Sequence, residues 1–452
     1  MSSSARGRTG HVIHPDLRRT PPPVARGEGI YLYGEDGSRY LDGCSGAVAA
    51  NIGHGVPEIR EAMTAQAEKL AFSFRSQFTN RPSEALAERL GAALPGSLGW
   101  FFFVNSGSEA TELAVKMAIQ SWQERGRPEK TRVLSRTVSY HGITLGALGM
   151  SGHVGRRSRF EALLAKDATV ASPYCLRCPF GLRYPECALA CADDLQARID
   201  AAGKDNVAAF IAEPLVGASG GAITPPPDYY RRIREICDAN EVLFIADEVM
   251  TGMGRTGAMS AMQHYGVTPD LLVLGKGLGA GYTPIAAVVA GDELMRIIEA
   301  GSGTVLYGHT LSANPLSAAV ALAVLSYIED HGLVANAAAR GEQLAARLRE
   351  LQRRHPVIGD VRGLGLLQGL ELVADPSLLT PFPPSEDVTG RLIRHAFAQG
   401  LMIYPAAGAV QGSGDAVLVA PPLTIRDAEV EELLRLLDAA LVELDVELRA
   451  RA

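Results

Sequence analysis

Short apolar runs alternate with amphipathic stretches through the middle of the chain. Three of these runs, Val207–Ala212, Leu243–Asp247 and Leu271–Leu274, have the length and composition of strands that are buried on both faces. Each has helical sequence before or after it. Repeated strand–helix units of this kind predict a mainly parallel sheet between two layers of helices. The alternation therefore predicts an α/β protein, and 452 residues are enough to bury a large core.

The pattern of apolar and polar residues changes near residue 330, and this change predicts a domain boundary there. Residues 1–60 are expected to form a polar arm, to about residue 27, followed by a hairpin around the turn Glu35-Asp36-Gly37. Residues 61–330 are expected to form the large domain. Residues 331–452 are expected to form a smaller α+β domain, to which the N-terminal segment contributes. Within the large domain, Ser83 is expected to be the N-cap of a helix over 83–94.

Charge and composition exclude several classes of function. The 43 basic and 50 acidic residues give a net charge of -7, so no basic field is present to attract nucleic acid or anionic lipid. The weakly charged stretch 271–291 contains Lys276, Pro284 and five glycines, which favour two strands joined by a loop over a membrane span. Six cysteines in so long a chain favour a reducing compartment, and no apolar signal region is present near Met1. We therefore expect a cytoplasmic protein that binds neither nucleic acid nor membrane.

Lysine is rare in this chain, and one lysine has an unusual setting. Five of the six lysines lie in polar or helical stretches, where a solvated position is expected. Lys276 instead follows the apolar run Leu271–Leu274 directly and lies among glycines. A buried amine whose pKa is lowered can form a covalent bond with a carbonyl carbon, which arginine cannot do. From the residues alone, a catalytic lysine and a structural lysine paired with a carboxylate both stay open.

Two acidic residues end apolar strands of the predicted sheet. Asp247 ends the run Leu243–Asp247, and Glu213 follows Val207–Ala212. The carboxyl ends of parallel strands share one edge of a sheet, where ligands of open α/β folds bind. A buried carboxylate needs a cationic partner or several hydrogen bonds. Asp247 is therefore expected either to form a salt bridge with an arginine such as Arg255 or to pair with a protonated cofactor nitrogen.

An anion site is predicted where the aromatic strand that begins at Trp100 meets the next helix. Ser106 and Glu109 have the spacing of a capping box. Gly107 and Ser108 then offer free main-chain N–H groups and a hydroxyl at the positive end of the helix dipole. A plain helix cap is the alternative.

Two further segments carry residue types that suit a planar, phosphorylated ligand. Tyr140 and His141 lie in the sequence SYHG after a predicted strand, where an aromatic ring before a glycine can lie flat on a ligand. Taken singly, each is more often a core or hydrogen-bonded residue. Thr310 provides a hydroxyl in the loop GHTLSANP, before a helix.

Together the motifs resemble those of the class III aminotransferases. NSGSEA, SYHG, AEP, ADEV, GRTG, LGKGLG and GHTLSANP occur in the order and spacing of that family, from about residue 27 to the last helix. The resemblance implies fold type I, with a mainly parallel seven-stranded sheet, and the cofactor pyridoxal 5′-phosphate (PLP). It implies ping-pong transfer of an amino group from an amine, ω-amino acid or amino acid to a keto acid such as pyruvate or 2-oxoglutarate. A racemase, epimerase, aminomutase or decarboxylase on the same fold is the alternative.

The resemblance also implies a role for each candidate residue. Lys276 resembles the catalytic lysine that bonds covalently to the cofactor, and Asp247 the acid that keeps its pyridine nitrogen protonated. Tyr140 and Val249 resemble the side chains that pack on the two faces of the ring. Thr310 resembles a phosphate ligand supplied by the neighbouring subunit, which implies a homodimer with shared active sites. The other cofactor-binding residues implied in this way are Ser106, Gly107, Ser108, His141 and Glu213.

The chain departs from the family where substrate carboxylates are bound. Leu418 and Tyr404 stand at positions where many members have an arginine. Ala218 replaces a gating glutamate, and Val48 replaces a tryptophan that narrows the pocket in many ω-aminotransferases. Losing a bidentate arginine is not a conservative change. We therefore expect an ω-amino acid or amine donor, with the acceptor carboxylate held by Arg75, by Arg426 or by main-chain N–H groups.

Four of the six cysteines lie within 17 residues, in a proline-rich segment between the Tyr140 and Glu213 motifs. Their spacing is compatible with a tetrahedral structural zinc site, with one or two disulfides, or with free thiols that pack a loop. No catalytic metal is expected. The four are Cys175, Cys178, Cys187 and Cys191.

Overall fold

The computed structural model describes residues 11–18, 20–165, 169–410 and 413–450, except for the side chains of residues 407–410 and 413. The strands are β1 Val24–Glu28, β2 Tyr31–Gly34, β3 Arg39–Asp42, β4 Leu98–Val104, β5 Arg132–Arg136, β6 Thr169–Val170, β7 Val207–Ala212, β8 Leu243–Asp247, β9 Leu271–Leu274, β10 Ala286–Gly291, β11 Ile358–Leu364, β12 Leu367–Leu372, β13 Leu401–Met402, β14 Tyr404–Val410 and β15 Ser413–Val419. The helices are α1 Ser45–Val48, α2 Pro57–Lys69, α3 Arg81–Ala93, α4 Gly107–Glu124, α5 Leu145–Gly149, α6 Val154–Arg157, α7 Ala190–Ala202, α8 Tyr229–Ala239, α9 Asp292–Ala300, α10 Pro315–Asp330, α11 Leu333–Arg354, α12 Val388–Ala398 and α13 Asp427–Arg449.

The central sheet has seven strands in the order β4-β10-β9-β8-β7-β5-β6. Only β10 runs antiparallel to its neighbours among these described strands, so the prediction of a mainly parallel sheet is confirmed. Alternate residues of the strands face opposite layers of helices. Ile245 of β8 packs in one cluster with Leu113 of α4, whereas Phe244 packs in another with Ile233 of α8. Burial on both faces explains why β7, β8 and β9 read as continuous apolar runs.

Two smaller sheets flank the central one. The first has the order β1-β2-β3-β13, and its parallel pair aligns Leu401 with Leu41, which joins the N-terminal hairpin to the C-terminal part of the chain. The second is antiparallel, with the order β11-β12-β15-β14. The predicted arm is shorter than expected, because β1 already begins at Val24. Residues 1–10 and Arg19 of that arm lie outside the described residues. The domain boundaries at 60 and 330 stay a prediction.

Two local predictions are wrong. Asn80, not Ser83, caps α3, because the Asn80 side chain accepts the Ser83 N–H at 3.0 Å. Pro82 then lies in the first turn, where its missing N–H costs nothing. Lys130 is fully buried rather than solvated. Its ammonium donates to three main-chain carbonyl oxygens that belong to distant parts of the chain.

A test for membrane-spanning helices identifies no single described helix that is long and apolar enough. One pair, α10 with α11, passes by length and composition when taken together, but its two helices are bent by 62°.

Candidate active site

The carboxyl edge of the central sheet brings the predicted site residues together. Asp247 ends β8, Glu213 follows β7, and Lys276 is the second residue after β9. Because β4 and β9 both run antiparallel to β10, Ser106 follows β4 at this same edge. A cavity of about 330 Å³ opens here. The predicted residues that line it are Ser106, Gly107, Ser108, Tyr140, His141, Glu213, Asp247, Val249 and Lys276.

The Asp247 carboxylate is buried and hydrogen-bonded on both oxygens. Its Oδ2 lies 2.7 Å from His141 Nδ1, and its Oδ1 accepts the Val249 N–H at 3.1 Å. Nε2 of His141 is also buried, with no partner among the described residues. The expected alternative of a salt bridge to Arg255 is wrong, because that guanidinium donates to two main-chain carbonyl oxygens of the C-terminal part instead. Asp247 is therefore oriented at the cavity wall and available to a cationic group.

Lys276 combines a strained backbone with a perturbed amine. Its φ of 42° lies in the left-handed region, which non-glycine residues rarely adopt and which recurs at functional sites. The side chain is partly exposed, to the cavity that it lines. Burial of the amine lowers its pKa to about 8. The nearby carboxylates of Asp247 and Glu213 oppose this lowering, and the charges of Arg156 and Arg255 add to it.

Glu213 holds two loops that border the cavity. Its carboxylate accepts the N–H of Tyr140 at 3.0 Å and the N–H of Gly217 at 3.1 Å. Burial raises the pKa of Glu213, and the negative charge of Asp247 raises it further. The electrostatic interactions with His141 and Arg136 and the hydrogen bond from the Tyr140 N–H act in the opposite direction. Glu213 thus fixes the position of Tyr140 relative to Asp247.

The start of α4 has the features of an anion site. The Ser106 hydroxyl accepts the Glu109 N–H at 3.3 Å, and the Glu109 carboxylate accepts the Ser106 N–H at 3.0 Å, so the capping box is formed. A Cβ at position 107 would lie 2.9 Å from Val249 Cγ1. A side chain there would force Val249 to move, and the main-chain N–H of Gly107, at the start of an 18-residue helix, has no partner among the described residues.

Ser108 and Tyr140 line another part of the cavity wall, and two further side chains lie beside Tyr140. The Ser108 hydroxyl accepts the Ile143 N–H at 3.0 Å, which leaves its own proton free to be donated. Tyr140 is half-buried, and the His153 ring meets its edge with a centroid distance of 6.0 Å. The guanidinium carbon of Arg156 lies 4.4 Å from the Tyr140 ring centroid. Tyr140 thus has an imidazole and a cation beside it.

These features fit pyridoxal phosphate. Lys276 supplies an amine of lowered pKa for the aldehyde, and Asp247 supplies a fixed carboxylate for the pyridine nitrogen. The bare N–H groups at Gly107 and Ser108 suit a phosphate. Tyr140 and Val249 belong to loops after different strands, and both side chains line the cavity.

Thr310 differs from the other predicted cofactor ligands. It lies in the segment between α9 and α10, is exposed, and does not line the cavity of its own chain. The segment runs beside the loop before α3, because the Asn314 amide donates to the Ala71 carbonyl oxygen at 3.1 Å.

The positions where the family has carboxylate-binding arginines lie next to each other. Leu418 of β15 is directly opposite Tyr404 of β14 in the antiparallel pair. Leu418 is fully buried, and Tyr404 is partly buried. Ala218 lines the cavity, and Val48 is buried close by in the same cluster of apolar side chains as Leu418. Leu418 and Tyr404 therefore place an apolar and a phenolic side chain where many members of the family have arginines, and of these four residues only Ala218 lines the cavity.

Neither arginine suggested as a substitute reaches this cavity in its own chain. Arg75 donates to the Tyr307 carbonyl oxygen and packs over the Phe102 ring, with 4.4 Å between guanidinium carbon and centroid. Arg426 pairs with Glu429 at 2.6 Å at the start of α13. Both guanidinium groups are thus engaged outside the cavity lining.

Sequence reasoning missed one wall of the cavity. This wall comes from the segment between Lys276 and β10 and includes Thr283, Pro284 and Ile285. Ala49, after α1, completes it from the N-terminal part. Small and apolar loop residues carry no chemical pattern, so the nearness of this segment to Lys276 along the chain was the only signal available.

The four clustered cysteines lie around one small cavity, beside Tyr184 and Pro226. All six cysteines are free thiols. Within the part of the chain that the structure describes, no group of three or more His, Cys, Asp or Glu side chains is arranged to hold a metal ion. Burial raises the pKa of Cys191 to about 12, and the neighbouring cysteines contribute to this rise. The four side chains thus face one small cavity, and zinc, disulfides and loop-packing thiols stay the three interpretations of their spacing.

Comparison with known proteins identifies clear relatives along nearly the whole chain. The family model for class-III aminotransferases matches residues 13–441. The uncharacterized aminotransferase YodT of Bacillus subtilis is 46% identical over 442 residues, which cover 98% of this chain and 99% of that protein. The putrescine–pyruvate aminotransferase of Pseudomonas aeruginosa is 34% identical over 416 residues, 91% of this chain and 89% of that protein. A PLP-bound amine transaminase from an uncultivated Pseudomonas species superimposes with a TM-score of 0.89 at 35% identity, covering 98% of this chain and 99% of that chain.

Proposed function

The chain belongs to the class-III aminotransferases and is a PLP-dependent aminotransferase of fold type I, and we propose that the cavity at the carboxyl edge of its sheet is where amino transfer takes place. The convergence of Lys276 and the His141–Asp247 pair on this one cavity carries the proposal. Donors are amines, ω-amino acids or amino acids, and acceptors are keto acids such as pyruvate or 2-oxoglutarate. The Pseudomonas aeruginosa relative is named a putrescine–pyruvate aminotransferase, which supports this pairing of an amine with a keto acid.

In this proposal each residue has one task toward the cofactor. Lys276 forms the covalent bond, Asp247 holds a proton at the pyridine nitrogen, and His141 keeps the Asp247 carboxylate in place. Tyr140 and Val249 enclose the ring, and Glu213 fixes the Tyr140 loop. The residues that hold the phosphate are Ser106, Gly107, Ser108 and, from a second subunit, Thr310.

The reaction needs a base that is neutral and close to the donor carbon. When bound, the cofactor supplies the electron sink for the electron pair left when that carbon loses its proton. The amine of Lys276, whose pKa is lowered, would take the proton from the donor carbon and would carry it during the transfer. The buried carboxylate of Asp247 would hold a proton at the pyridine nitrogen. With a keto acid the same groups act in the reverse order, which gives ping-pong kinetics.

The covalent role of Lys276 is tested by locating the attached cofactor. Borohydride reduction of the holoenzyme, followed by digestion and mass spectrometry, is expected to find the modification on Lys276. Lys276→Ala is expected to lose both the modification and turnover. The exposed Lys69 provides the control, since Lys69→Ala removes a lysine remote from the cavity lining. Modification of another lysine, or full turnover by Lys276→Ala, would contradict the assignment.

The second part of the proposal is a homodimer in which Thr310 enters the active site of the partner. Large apolar side chains are exposed on the loop before α3, at the start of α5 and on the segment that carries Thr310, which supports a protein interface here. These exposed side chains are Phe72, Phe74, Phe78, Ile143, Leu145, Leu306 and Leu311. A symmetric dimer would bury the same patch on both subunits.

Mixing two inactive variants tests whether the sites are shared. Thr310→Asp places a negative charge against the phosphate of the partner, whereas Lys276→Ala disables its own subunit. Unfolding and refolding the two together is expected to restore about one quarter of the wild-type activity, because half of the random dimers carry one intact site. No regain of activity in a mixture that sediments as a dimer would mean that Thr310 serves its own subunit.

A cytoplasmic location is the third part of the proposal. The thiol state of all six cysteines supports a reducing compartment. Alkylation in rapidly quenched cells is expected to modify all six in the denatured chain, and a disulfide in that sample would contradict the location.

A further inference from the structure

Arg156 is placed beside the cavity by a short element that sequence reasoning did not single out. It belongs to α6, which follows the Tyr140 loop, and its guanidinium carbon lies 4.4 Å from the centroid of the Tyr140 ring. This is the geometry of a cation–π contact. Tyr140 itself lines the cavity, and its phenol also shares a hydrogen bond with Arg156. Arg156 is thus held next to the site by the Tyr140 side chain.

The next residue, Arg157, has a structural role in α6. Arg157 donates to the carbonyl oxygens of Leu148, Gly149 and Ser151, at 3.0, 2.6 and 2.8 Å, and pairs with Glu161. These bonds tie α6 to α5. Arg156 makes no ion pair with any carboxylate of the described residues, and its side chain is exposed. The two adjacent arginines therefore have separate tasks.

Other arginines around the cavity are already occupied. The guanidinium of Arg136 donates to the Glu213 carbonyl oxygen and to the Tyr230 hydroxyl. Arg362 donates to two main-chain carbonyl oxygens and pairs with Glu371 at 2.8 Å. The interior bonds of these side chains leave them unable to turn toward a substrate. A substrate carboxylate needs a cation whose N–H donors are not already engaged in hydrogen bonds inside the protein.

The charge of Arg156 reaches the cavity interior. It contributes to the lowered pKa of Lys276, and it opposes the rise that burial causes in the pKa of Tyr140. Tyr404, at a position where the family has an arginine, contributes to the raised pKa of Tyr140. His153 meets the edge of the same ring, and its Nδ1 is buried without a partner among the described residues. A substrate carboxylate beside the Tyr140 ring would therefore lie near the guanidinium of Arg156 and near the polar side chains of Tyr404 and His153.

We propose that Arg156 binds the carboxylate of amino-acid and keto-acid substrates, with Tyr404 and His153 beside it, in place of the arginines absent at Leu418 and Tyr404. This proposal rests on the aminotransferase reaction and names the subsite that selects its substrates. A guanidinium on the Tyr140 ring offers paired N–H donors to a carboxylate, and the contact is charge-assisted. Amines without a carboxylate then bind only through apolar residues of the cavity lining, such as Pro284 and Ile285.

The test compares donors that differ in one carboxylate. The holoenzyme is mixed with an ω-amino acid or with the alkylamine of equal chain length, without keto acid, and the rate of the cofactor absorbance change is followed at increasing donor concentration. Arg156→Met is expected to raise the apparent dissociation constant of the ω-amino acid, and of pyruvate in the reverse half-reaction, by about 10- to 100-fold. The alkylamine constant is expected to stay unchanged. Because the Arg156 charge also acts on Lys276, any change in the limiting rate is expected to be the same for both donors. Arg156→Lys is expected to recover part of the loss.

The matched control is Arg159→Met, since Arg159 is an exposed arginine of the same segment that does not line the cavity. Equal losses for the ω-amino acid and the alkylamine would assign Arg156 a structural role, and unchanged constants for both would place the carboxylate elsewhere. Either result overturns the proposal. An independent readout is the dissociation constant of propionate, a carboxylate that cannot react, from its effect on the cofactor spectrum. If the wild type performed no amino transfer, the proposed function would fail, whereas propionate binding would still test Arg156.

Discussion

The amine of Lys276 should react with the cofactor at a pH well below that of an ordinary lysine. Burial lowers its pKa to about 8, against 10.5 for an unperturbed lysine. Only the neutral amine attacks an aldehyde, so the reactive fraction at about pH 7 rises from about 0.03% to about 9%, roughly 300-fold. The variable in this experiment is pH. The rate at which the apoprotein forms its covalent bond with added pyridoxal phosphate should rise with pH and level off above about pH 8.

The assay is the growth of the visible absorbance band of the lysine-bound cofactor after rapid mixing. The cofactor also titrates, so the same series with a simple alkylamine provides the correction. A corrected inflection near 8 would support desolvation of the Lys276 amine as the cause. An inflection near 10.5 would mean that the amine is solvated, and the physical argument for its reactivity would be refuted.

Three further changes have defined outcomes. Asp247→Asn removes the charge that holds the pyridine nitrogen protonated, and kcat is expected to fall at least about 100-fold, measured in holoenzyme whose thermal unfolding is unchanged. Gly107→Ala brings a Cβ to 2.9 Å from Val249, so cofactor titration of the apoprotein should give a dissociation constant raised about 10-fold. Lys130→Met removes three hydrogen bonds to main-chain carbonyl oxygens, one of them buried and two part-buried, and should lower the free energy of unfolding by about 2–4 kcal/mol in chemical denaturation, without changing KM. An unchanged value in any of these measurements would contradict the corresponding contact.

The fold and the polar edge of the site were predictable because both depend on local sequence. Apolar runs that end at Asp247 or just before Lys276 place these residues at the carboxyl edge of a parallel sheet, whatever the details of packing. The capping box at Ser106 is equally local, since its partner Glu109 is three residues away.

The contacts that sequence reasoning missed join distant residues. His141 and Asp247 are 106 residues apart, and the carbonyl oxygens that hold Lys130 lie 74 to 111 residues away. Arg156 follows Tyr140 by only 16 residues, but the turn that folds α6 back onto the ring has no sequence signature. Tertiary packing determines which polar groups become hydrogen-bond partners. The periodicity of a single sequence does not show which distant residues will come into contact.

Amino transfer itself is tested most directly by the absorbance of the holoenzyme during a half-reaction. Amines, ω-amino acids and α-amino acids are added one at a time, without keto acid, and pyruvate or 2-oxoglutarate is added afterwards. At least one donor class should convert the yellow enzyme to the pyridoxamine phosphate form, and a keto acid should restore the yellow colour. A yellow form that persists while the substrate loses optical purity or releases carbon dioxide would contradict amino transfer and indicate a racemase or a decarboxylase.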